Sequence, residues 1–297
     1  MAVEGWQVRA YFDNVHHKAQ ESRAKADGTT LEKTQNARMI GFPVLDVAEG
    51  ETPTSRLAPT PDNTPDRTMR WAFPTPWRIN LLEDEIDDLE HFWEASSEYV
   101  VSAAAARNRE GMKRLLTAAL GSALETTEDT IGTAGTSVAL PAAQQIAHGS
   151  AGLTKQKLVH ARTILDGAVG GDVEIFGPYY FAYDPRDIRF LLNDAELNSM
   201  DSVTQRQLMN GMPVQGLMGF NWIPTSQLAI ASNIRSSVCW VRSGMGRGNN
   251  RAGMKMRAGE RSDLSYAFQV FRSDKFDYVR IDDKMVVELQ IDTTQTP

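Results

Sequence analysis

Apolar residues recur at helical spacing in three parts of the chain. The clearest stripe lies in residues 81–124, where apolar side chains stand three and four positions apart between charged ones. Its members include Ala103, Met112, Leu115, Leu116, Ala119 and Leu120. Residues 153–168 repeat the pattern with Leu158, Ala161, Ile164 and Leu165, and residues 6–26 repeat it with Val8, Tyr11, Phe12, Val15 and Ala19. We predict a long helix, a shorter helix and a partly helical N-terminal segment.

Alternation of apolar and polar residues is concentrated in the second half of the chain. Tyr266, Phe268 and Val270 alternate with polar residues, and after a turn at residues 282–284 so do Met285, Val287, Leu289 and Ile291. Residues 179–183, 225–231 and 238–241 also have strand character, while Asp184 and Pro185 are typical of a helix start. From residue 175 onwards the pattern therefore predicts a mixed α/β region.

Proline dominates the region before the long helix. Seven of the 13 prolines lie between Pro43 and Pro76, and such a segment cannot form helix interiors or central strands. The flanking residues 39–45 and 71–79 are apolar and aromatic, so we expect two strands that pair. A two-stranded ribbon is marginal alone and needs another surface; a flexible insertion is the alternative.

Glycine marks two expected loops. Residues 121–150 are rich in Gly, Ser, Thr and Ala, and residues 244–248 read Gly-Met-Gly-Arg-Gly. The second motif lacks the Lys-Ser/Thr end of a phosphate-binding loop, so we interpret it as a flexible loop. It lies in the most basic stretch of the chain, whose cations either contact an acidic neighbour or nucleic acid or are simply solvated.

Charge and cysteine content narrow the function. Lys and Arg number 31 against 38 Asp and Glu, a net charge of −7, which does not suit a dedicated nucleic-acid binder. Cys239 is the only cysteine, so no intrachain disulfide forms, and its apolar neighbours predict a packing role. No run reaches the roughly 20 apolar residues of a membrane span, and the first residues do not resemble a secretion signal.

No group of residues predicts catalysis. The five histidines are scattered without the His-Glu-x-x-His spacing of zinc sites, and no Gly-x-Ser-x-Gly motif is present. Residues 83–90 hold six carboxylates, which can bind divalent cations, although a solvated helix face is the simpler interpretation. We therefore expect no catalytic residue, no metal site and no cofactor.

Residues 212–228 read Met-Pro-Val-Gln-Gly-Leu-Met-Gly-Phe-Asn-Trp-Ile-Pro-Thr-Ser-Gln-Leu. This Gly-Phe block resembles one in the major capsid proteins of tailed double-stranded DNA bacteriophages, which have the Hong Kong 97-like fold. The order of features over residues 6–291 is similar as well: an amphipathic arm, a Pro-rich loop, a long helix, a Gly-Thr loop, a Gly-Leu-Thr helix, a mixed α/β block and C-terminal strands.

The resemblance implies an α+β subunit of five segments. These are an N-terminal arm at 1–26, an extended β-hairpin or extension loop at 27–80, a peripheral domain at 81–175, an axial domain at 176–250, and C-terminal strands at 251–297 that return to the peripheral domain. The peripheral domain would contain a long spine helix at about residues 95–124.

The resemblance also implies a function. Such a protein self-assembles into hexamers and pentamers of an icosahedral head, in the host cytoplasm, and encloses double-stranded DNA without sequence-specific binding and without a membrane. Scaffolding, portal and decoration proteins would be further partners. Aromatic and arginine side chains favour interface centres, and the candidate intersubunit contacts are Tyr11, Phe12, Phe42, Trp71, Phe73, Trp77, Arg247 and Arg251.

Two alternatives stay open at this point. One is a soluble enzyme or ligand-binding protein with a disordered Pro-rich insertion, which predicts a stable monomer or small oligomer. The other is a different virion structural protein, such as a portal-neck or tail component.

Overall fold

The computed structural model describes residues 20–52, 55, 62–83, 95–127, 135–192, 217–264 and 266–295. The predicted N-terminal helix and the start of the Gly-Phe block lie outside these ranges. The helices are α1 (Ala95–Leu120), α2 (Lys155–Val169), α3 (Val173–Phe176) and α4 (Ile188–Leu192). The strands are β1 (Leu31–Thr34), β2 (Ile40–Leu45), β3 (Arg67–Ala72), β4 (Thr75–Glu83), β5 (Ala123–Thr127), β6 (Thr136–Val138), β7 (Gln145–Ile146), β8 (Tyr179–Tyr183), β9 (Phe220–Pro224), β10 (Ile230–Ala231), β11 (Ile234–Val241), β12 (Met245–Asn249), β13 (Lys255–Arg261), β14 (Ala267–Arg280) and β15 (Val286–Asp292).

The long helix α1 begins and ends inside its predicted region. Its apolar stripe is buried at Met112, Leu115, Leu116 and Ala119, which confirms the helical periodicity. The spine helix expected at about residues 95–124 starts at Ala95 but ends four residues early, at Leu120, because residues 123–127 form β5. Residues 81–83, at the start of the wider helical region, belong to β4. At the C-terminal end, the Gly121 amide donates to the Thr117 carbonyl at 2.8 Å before the chain turns into β5.

A six-stranded sheet and α2 enclose the largest apolar core. The strand order is β7-β15-β11-β8-β9, with β10 added to β11. Helix α2 starts where the Thr154 side chain accepts from the Lys157 amide and ends at Gly170 in the left-handed conformation. Its predicted face is confirmed, since Leu158, Ala161 and Leu165 are fully buried against this sheet.

A five-stranded sheet is organised around β14. Strand β4 pairs with β14 along one edge, from Phe268 opposite Glu83 to Phe276 opposite Thr75. On the other edge, β13 pairs with residues 267–273 and β12 with residues 276–280, and β1 runs parallel to β12. On this edge, the long strand β14 therefore pairs with β13 along its first half and with β12 along its second half.

A smaller sheet has the order β2-β3-β5-β6. Strands β2 and β3 pair antiparallel from Ile40 opposite Ala72 to Leu45 opposite Arg67, which confirms that the segments flanking the Pro-rich region pair. The apolar side of this sheet packs on the end of β14 through Phe42, Val279 and Ile281.

Both expected loops contain strands. Residues 121–150 contain β5, β6 and β7, and Gly244–Gly248 overlaps β12, which is buried from Met245 to Gly248. A Cβ at Gly246 would lie 2.9 Å from the Phe42 ring, and one at Gly248 would lie 3.0 Å from the Ala72 Cβ. The glycines are there because another sheet packs closely on this strand, so the interpretation as a flexible loop was wrong.

Strand pairing crosses three of the predicted segment limits. The extension loop at 27–80 was expected to be one hairpin, but it also supplies β1 and most of β4 to the five-stranded sheet. Strand β12 lies in the 176–250 segment but pairs with β14 in the five-stranded sheet. Strand β15 pairs with β11 in the six-stranded sheet and does not lie beside α1 as β14 does. Hydrogen bonding between distant strands, which the local pattern does not encode, decides these positions.

Candidate subunit interface

Three paired strands form a ribbon, which we define as β4, β13 and residues 267–276 of β14. Strand β13 is exposed at every residue from Lys255 to Glu260 and half-buried only at Arg261. Its outer edge has no strand partner among the described residues. A sheet this thin buries little apolar surface, so its stability depends on what covers its two faces.

Helix α1 covers one face of the ribbon, which we call the inner face. The Arg107 Nε of α1 donates to Asp274 Oδ2 of β14 at 3.3 Å. Val270 is fully buried on the same face, and Trp77 and Ile79 of β4 are half-buried. The opposite, outer face carries Arg78 and Asn80, which are exposed.

Residues 20–34 form a strap that joins α1 to the five-stranded sheet. Asp27 Oδ1 accepts from Arg247 Nη1 at 2.6 Å, and Asp27 Oδ2 lies 3.2 Å from Arg107 Nη1. Glu32 also accepts from Arg247, at 3.2 Å. Both arginines are buried, so these carboxylates neutralise charges that would otherwise be costly inside the protein.

Two aromatic residues, Phe276 and Tyr278, lie at the same junction between α1 and the five-stranded sheet. The Arg107, Arg114 and Arg247 guanidinium carbons lie 5.3, 4.7 and 5.5 Å from the centre of the Phe276 ring. Burial raises the pKa of the neighbouring Tyr278 hydroxyl to about 12, so this group stays protonated at neutral pH. At this junction, arginine side chains therefore contact an aromatic ring as well as carboxylates.

The strap reaches the six-stranded sheet as well. The Trp240 indole Nε1 donates to the Thr29 carbonyl at 3.0 Å, and Lys25 Nζ donates to the Pro224 carbonyl at 2.5 Å. Glu21 accepts from the Ser226 amide at 3.1 Å. One short segment thus contacts α1 and two sheets.

A groove of about 480 Å³ lies between α1 and the β2-β3-β5-β6 sheet. Trp71 and Phe73 line one side, and Lys113 and Arg114 of α1 line the other. Asp277 lies at the groove, and burial raises the pKa of its carboxyl. The groove presents apolar rings beside charged groups, a combination suited to anchoring side chains of a partner protein.

Buried polar clusters elsewhere serve the fold. Lys157 Nζ donates to the carbonyls of His148, Ala151, Gly152 and Gln290 at 2.7, 2.9, 2.9 and 3.1 Å, tying α2 and its preceding loop to β15. Burial lowers the pKa of this ammonium to about 8.

Arg235 of β11 forms a second buried cluster in the six-stranded sheet. It pairs with Asp184 and Asp187, both buried at the start of the short helix before α4. Burial raises the pKa of the Asp187 carboxyl. Neither this cluster nor that of Lys157 opens onto a groove found in the described residues.

The predicted contact residues fall into three groups. Arg251 is exposed, Phe73 is 39% exposed, and Trp71 is half-buried with its indole Nε1 donating to Thr126 Oγ1 at 2.8 Å. Trp77 is half-buried on the inner face of the ribbon. Phe42 and Arg247 are buried in the subunit, and Tyr11 and Phe12 lie outside the described residues.

Several interface features were missed by sequence reasoning. Asp27 gave no signal, because one aspartate in a polar stretch looks like any solvated residue. The cations Arg78, Lys255 and Arg257 were either ignored or assigned to a glycine loop, although alternation in residues 255–261 could have indicated one charged strand face.

The described residues bear on metal binding, thiol reactivity and membrane spanning. Within the part of the chain that the structure covers, no three His, Cys, Asp or Glu side chains are placed to hold a metal ion. Burial raises the pKa of the Cys239 thiol well above its usual range, so the thiolate needed for nucleophilic attack is suppressed. None of the described helices combines the length and apolar character needed to cross a membrane.

Comparison with known proteins identifies the family. The sequence model of a phage capsid protein family matches residues 3–293. The chain belongs to this phage capsid protein family. No curated protein sequence matches the capsid protein significantly.

Solved structures show the same fold as this capsid protein. A chain from Mycobacterium phage Che8 is 13% identical with a TM-score of 0.68, over 99% of this chain and 100% of that one. The capsid of Ralstonia phage GP4 gives 9% identity and a TM-score of 0.69, over 97% and 96% of the two chains. The capsid of an empty GTA particle gives 11% identity and a TM-score of 0.65, over 98% and 97%.

These findings confirm the Hong Kong 97-like α+β fold and the predicted role. The capsid protein is a phage major capsid protein, a structural component of the virion whose copies form the shell. Neither the soluble enzyme or binding protein nor the other virion component is supported.

Proposed function

We propose that this major capsid protein builds an icosahedral head in which one fold occupies both hexamers and pentamers around double-stranded DNA. The observation that carries the proposal is the family match over residues 3–293, since it spans the whole fold rather than one module. Copies of one chain can close a shell only if the same surface tolerates slightly different neighbours.

The architecture suggests a different role in the shell for each part of the subunit. The six-stranded sheet with α2 would serve as the axial domain, where copies meet around the centre of a capsomer. Helix α1 and the five-stranded sheet would serve as the peripheral domain. The N-terminal arm and the Pro-rich hairpin tip would reach neighbouring subunits, because neither can bury a core of its own.

Five of the candidate contacts fit this role. Trp71 and Phe73 line the groove beside α1, and Arg251 is exposed at the base of the ribbon. Tyr11 and Phe12 would act from the arm. Phe42 and Arg247 are occupied within the subunit, and Trp77 faces α1, so we assign the neighbour contacts to the first group.

Assembly would take place in the host cytoplasm with scaffolding, portal and decoration proteins as further partners. The net charge of −7 suits a container that encloses DNA without binding its sequence. We assign no catalytic step to the chain, because its role is to form contacts between copies.

Expression of the capsid protein alone tests the proposal. Negative-stain electron microscopy should show closed shells or rings of five and six subunits, and light scattering should give matching masses. If no multimer forms, the experiment is repeated with the other head proteins of the same phage. A chain that stays monomeric in both experiments contradicts the proposal.

A further inference from the structure

The outer face of the ribbon carries cations that form no ion pair with the residues that the structure describes. Directly opposed residues of paired strands project to the same side, so Lys255 shares its face with Ser273 and Arg78, and Arg257 with Phe271. Lys275, two residues beyond Ser273, lies on this face too. Within the described residues the ion pairs of ribbon arginines involve Arg261 and Arg272 only.

Three of these cations, Lys255, Arg257 and Lys275, line a groove of about 520 Å³, and Asp274 is the one carboxylate in its lining. The half-buried ring of Phe271 lies among Lys255, Arg257 and Lys275 in its lining. The short turn Arg251–Gly253 closes one end, where the Ser273 hydroxyl donates to the Gly253 carbonyl at 3.0 Å. The turn approaches so closely that a Cβ at Gly253 would lie 2.3 Å from the Lys275 Cβ.

The chemistry of this groove fits a segment that is acidic and partly apolar. Like charges at neighbouring cross-strand positions repel one another, and carboxylates of a partner would remove that cost. An apolar side chain beside the carboxylates would cover the exposed part of the Phe271 ring.

One segment of the chain has this composition. Residues 83–90 read Glu-Asp-Glu-Ile-Asp-Asp-Leu-Glu, which is six carboxylates interleaved with Ile86 and Leu89. We propose that the outer groove of the ribbon binds residues 83–90 of a second copy of the chain. This deepens the proposed function and rests on it, because it names the two surfaces that meet between subunits.

The position of the groove favours a second copy as the source of the segment. Helix α1 packs against the inner face of the ribbon through Arg107 and Asp274. The groove lies on the opposite, outer face, which α1 leaves uncovered. A neighbouring subunit can therefore bring its own residues 83–90 to the groove.

Charge reversal tests the contact. Arg257→Glu should fold with an unchanged melting temperature, because the side chain is exposed, and should reduce the yield of shells by about tenfold. The matched control is Lys284→Glu, an exposed lysine at the turn before β15, which should assemble normally. If Arg257→Glu misfolds, Arg257→Gln replaces it with the same expectation.

Mixing two chains distinguishes a second copy from the same chain. Asp88→Lys alone should impair assembly as Arg257→Glu does. An equal mixture should regain rings of six subunits, in which alternating subunits restore an oppositely charged pair at each contact. If the segment bound its own groove, both chains would stay defective in the mixture.

Three results overturn the inference. Normal assembly of Arg257→Glu would show that the groove is not an essential contact. A defect in Arg257→Glu with normal assembly of Asp88→Lys would assign the groove to another partner, such as DNA or a scaffolding protein. Failure of the mixture would exclude the second copy. Wild-type shells in the same experiment keep the proposed function intact in each of these cases.

Discussion

At the scale of single residues, Asp27 decides how the strap is held. It supplies one carboxylate to two buried arginines, Arg107 of α1 and Arg247 of β12. Arg107 also pairs with Asp274 and Arg247 with Glu32, so each keeps one partner without Asp27. A shared carboxylate of this kind couples a helix to a sheet through charge rather than through apolar contact.

Removing the charge of Asp27 should destabilise the subunit. We expect Asp27→Asn to lower the free energy of unfolding by about 1–2 kcal/mol, a moderate value because Asp27 is itself partly exposed. Chemical denaturation of the isolated subunit measures this. The control is Asp172→Asn, an exposed aspartate whose side chain makes no capping bond. Equal stability of the two variants would show that the strap does not depend on Asp27.

At the scale of secondary-structure elements, the glycine-rich residues 244–248 lie mostly in strand β12 and not in a loop. Strand β12 is enclosed by β1 and β14 on its edges and by β2 and β3 on one face. Only a residue without Cβ fits at Gly246 and Gly248, because the second sheet lies within contact distance of the backbone. Here glycine serves close packing between sheets rather than flexibility.

A larger side chain at Gly246 should separate these sheets. We expect Gly246→Val to cost about 1–3 kcal/mol of stability, the usual range for overpacking a filled core. Gly259→Val is the matched control, since Gly259 lies in β13 of the same sheet and a Cβ there meets nothing within 4 Å. Thermal melting followed by circular dichroism compares them. Similar melting temperatures would mean that the sheets separate freely at this point.

At the scale of the whole molecule, the chain returns repeatedly to sheets it has already left. Strand β1 pairs with β12, β4 with β14, and β7 with β15, so residues more than a hundred positions apart are adjacent. These pairings leave the tip of the β2–β3 hairpin as an appendage. Among the described residues, the backbone bond between the two arms that lies nearest the tip runs from the Asp46 amide to the Asp66 carbonyl and is 3.0 Å long.

The hairpin tip should therefore matter for assembly and not for folding. Replacing residues 47–65 by Asn-Gly, the dipeptide that favours two-residue hairpin turns, should leave the melting temperature of the subunit unchanged. Shell formation, followed by electron microscopy, should be impaired, because the tip would no longer reach a neighbour. A Ser55→Ala chain of full length is the control. Normal shells from the shortened chain would contradict the role of the tip.

Local chemistry in the sequence was sufficient for several elements. The aromatic strand character of residues 179–183 predicted β8 at its observed limits, and Asp184 caps the turn that follows through the Arg186 amide. The apolar face of α2 was read correctly for the same reason: periodicity and capping act within a few residues. Lys157 shows the limit, because a lysine in a helix gives no sign that four carbonyls surround it.

Sequence patterns were sufficient to predict the long helix, the pairing of the segments beside the Pro-rich region, the α+β class and, through the order of the motifs, the capsid family. The folded structure was needed to show that β15 joins the six-stranded sheet and that residues 244–248 are buried. It was also needed to show that Arg247 is internal while Arg78, Lys255, Arg257 and Lys275 share an outer face. The reason is physical: helices and turns are specified by neighbours in sequence, whereas strand partners and the two faces of a sheet are fixed by contacts between distant residues.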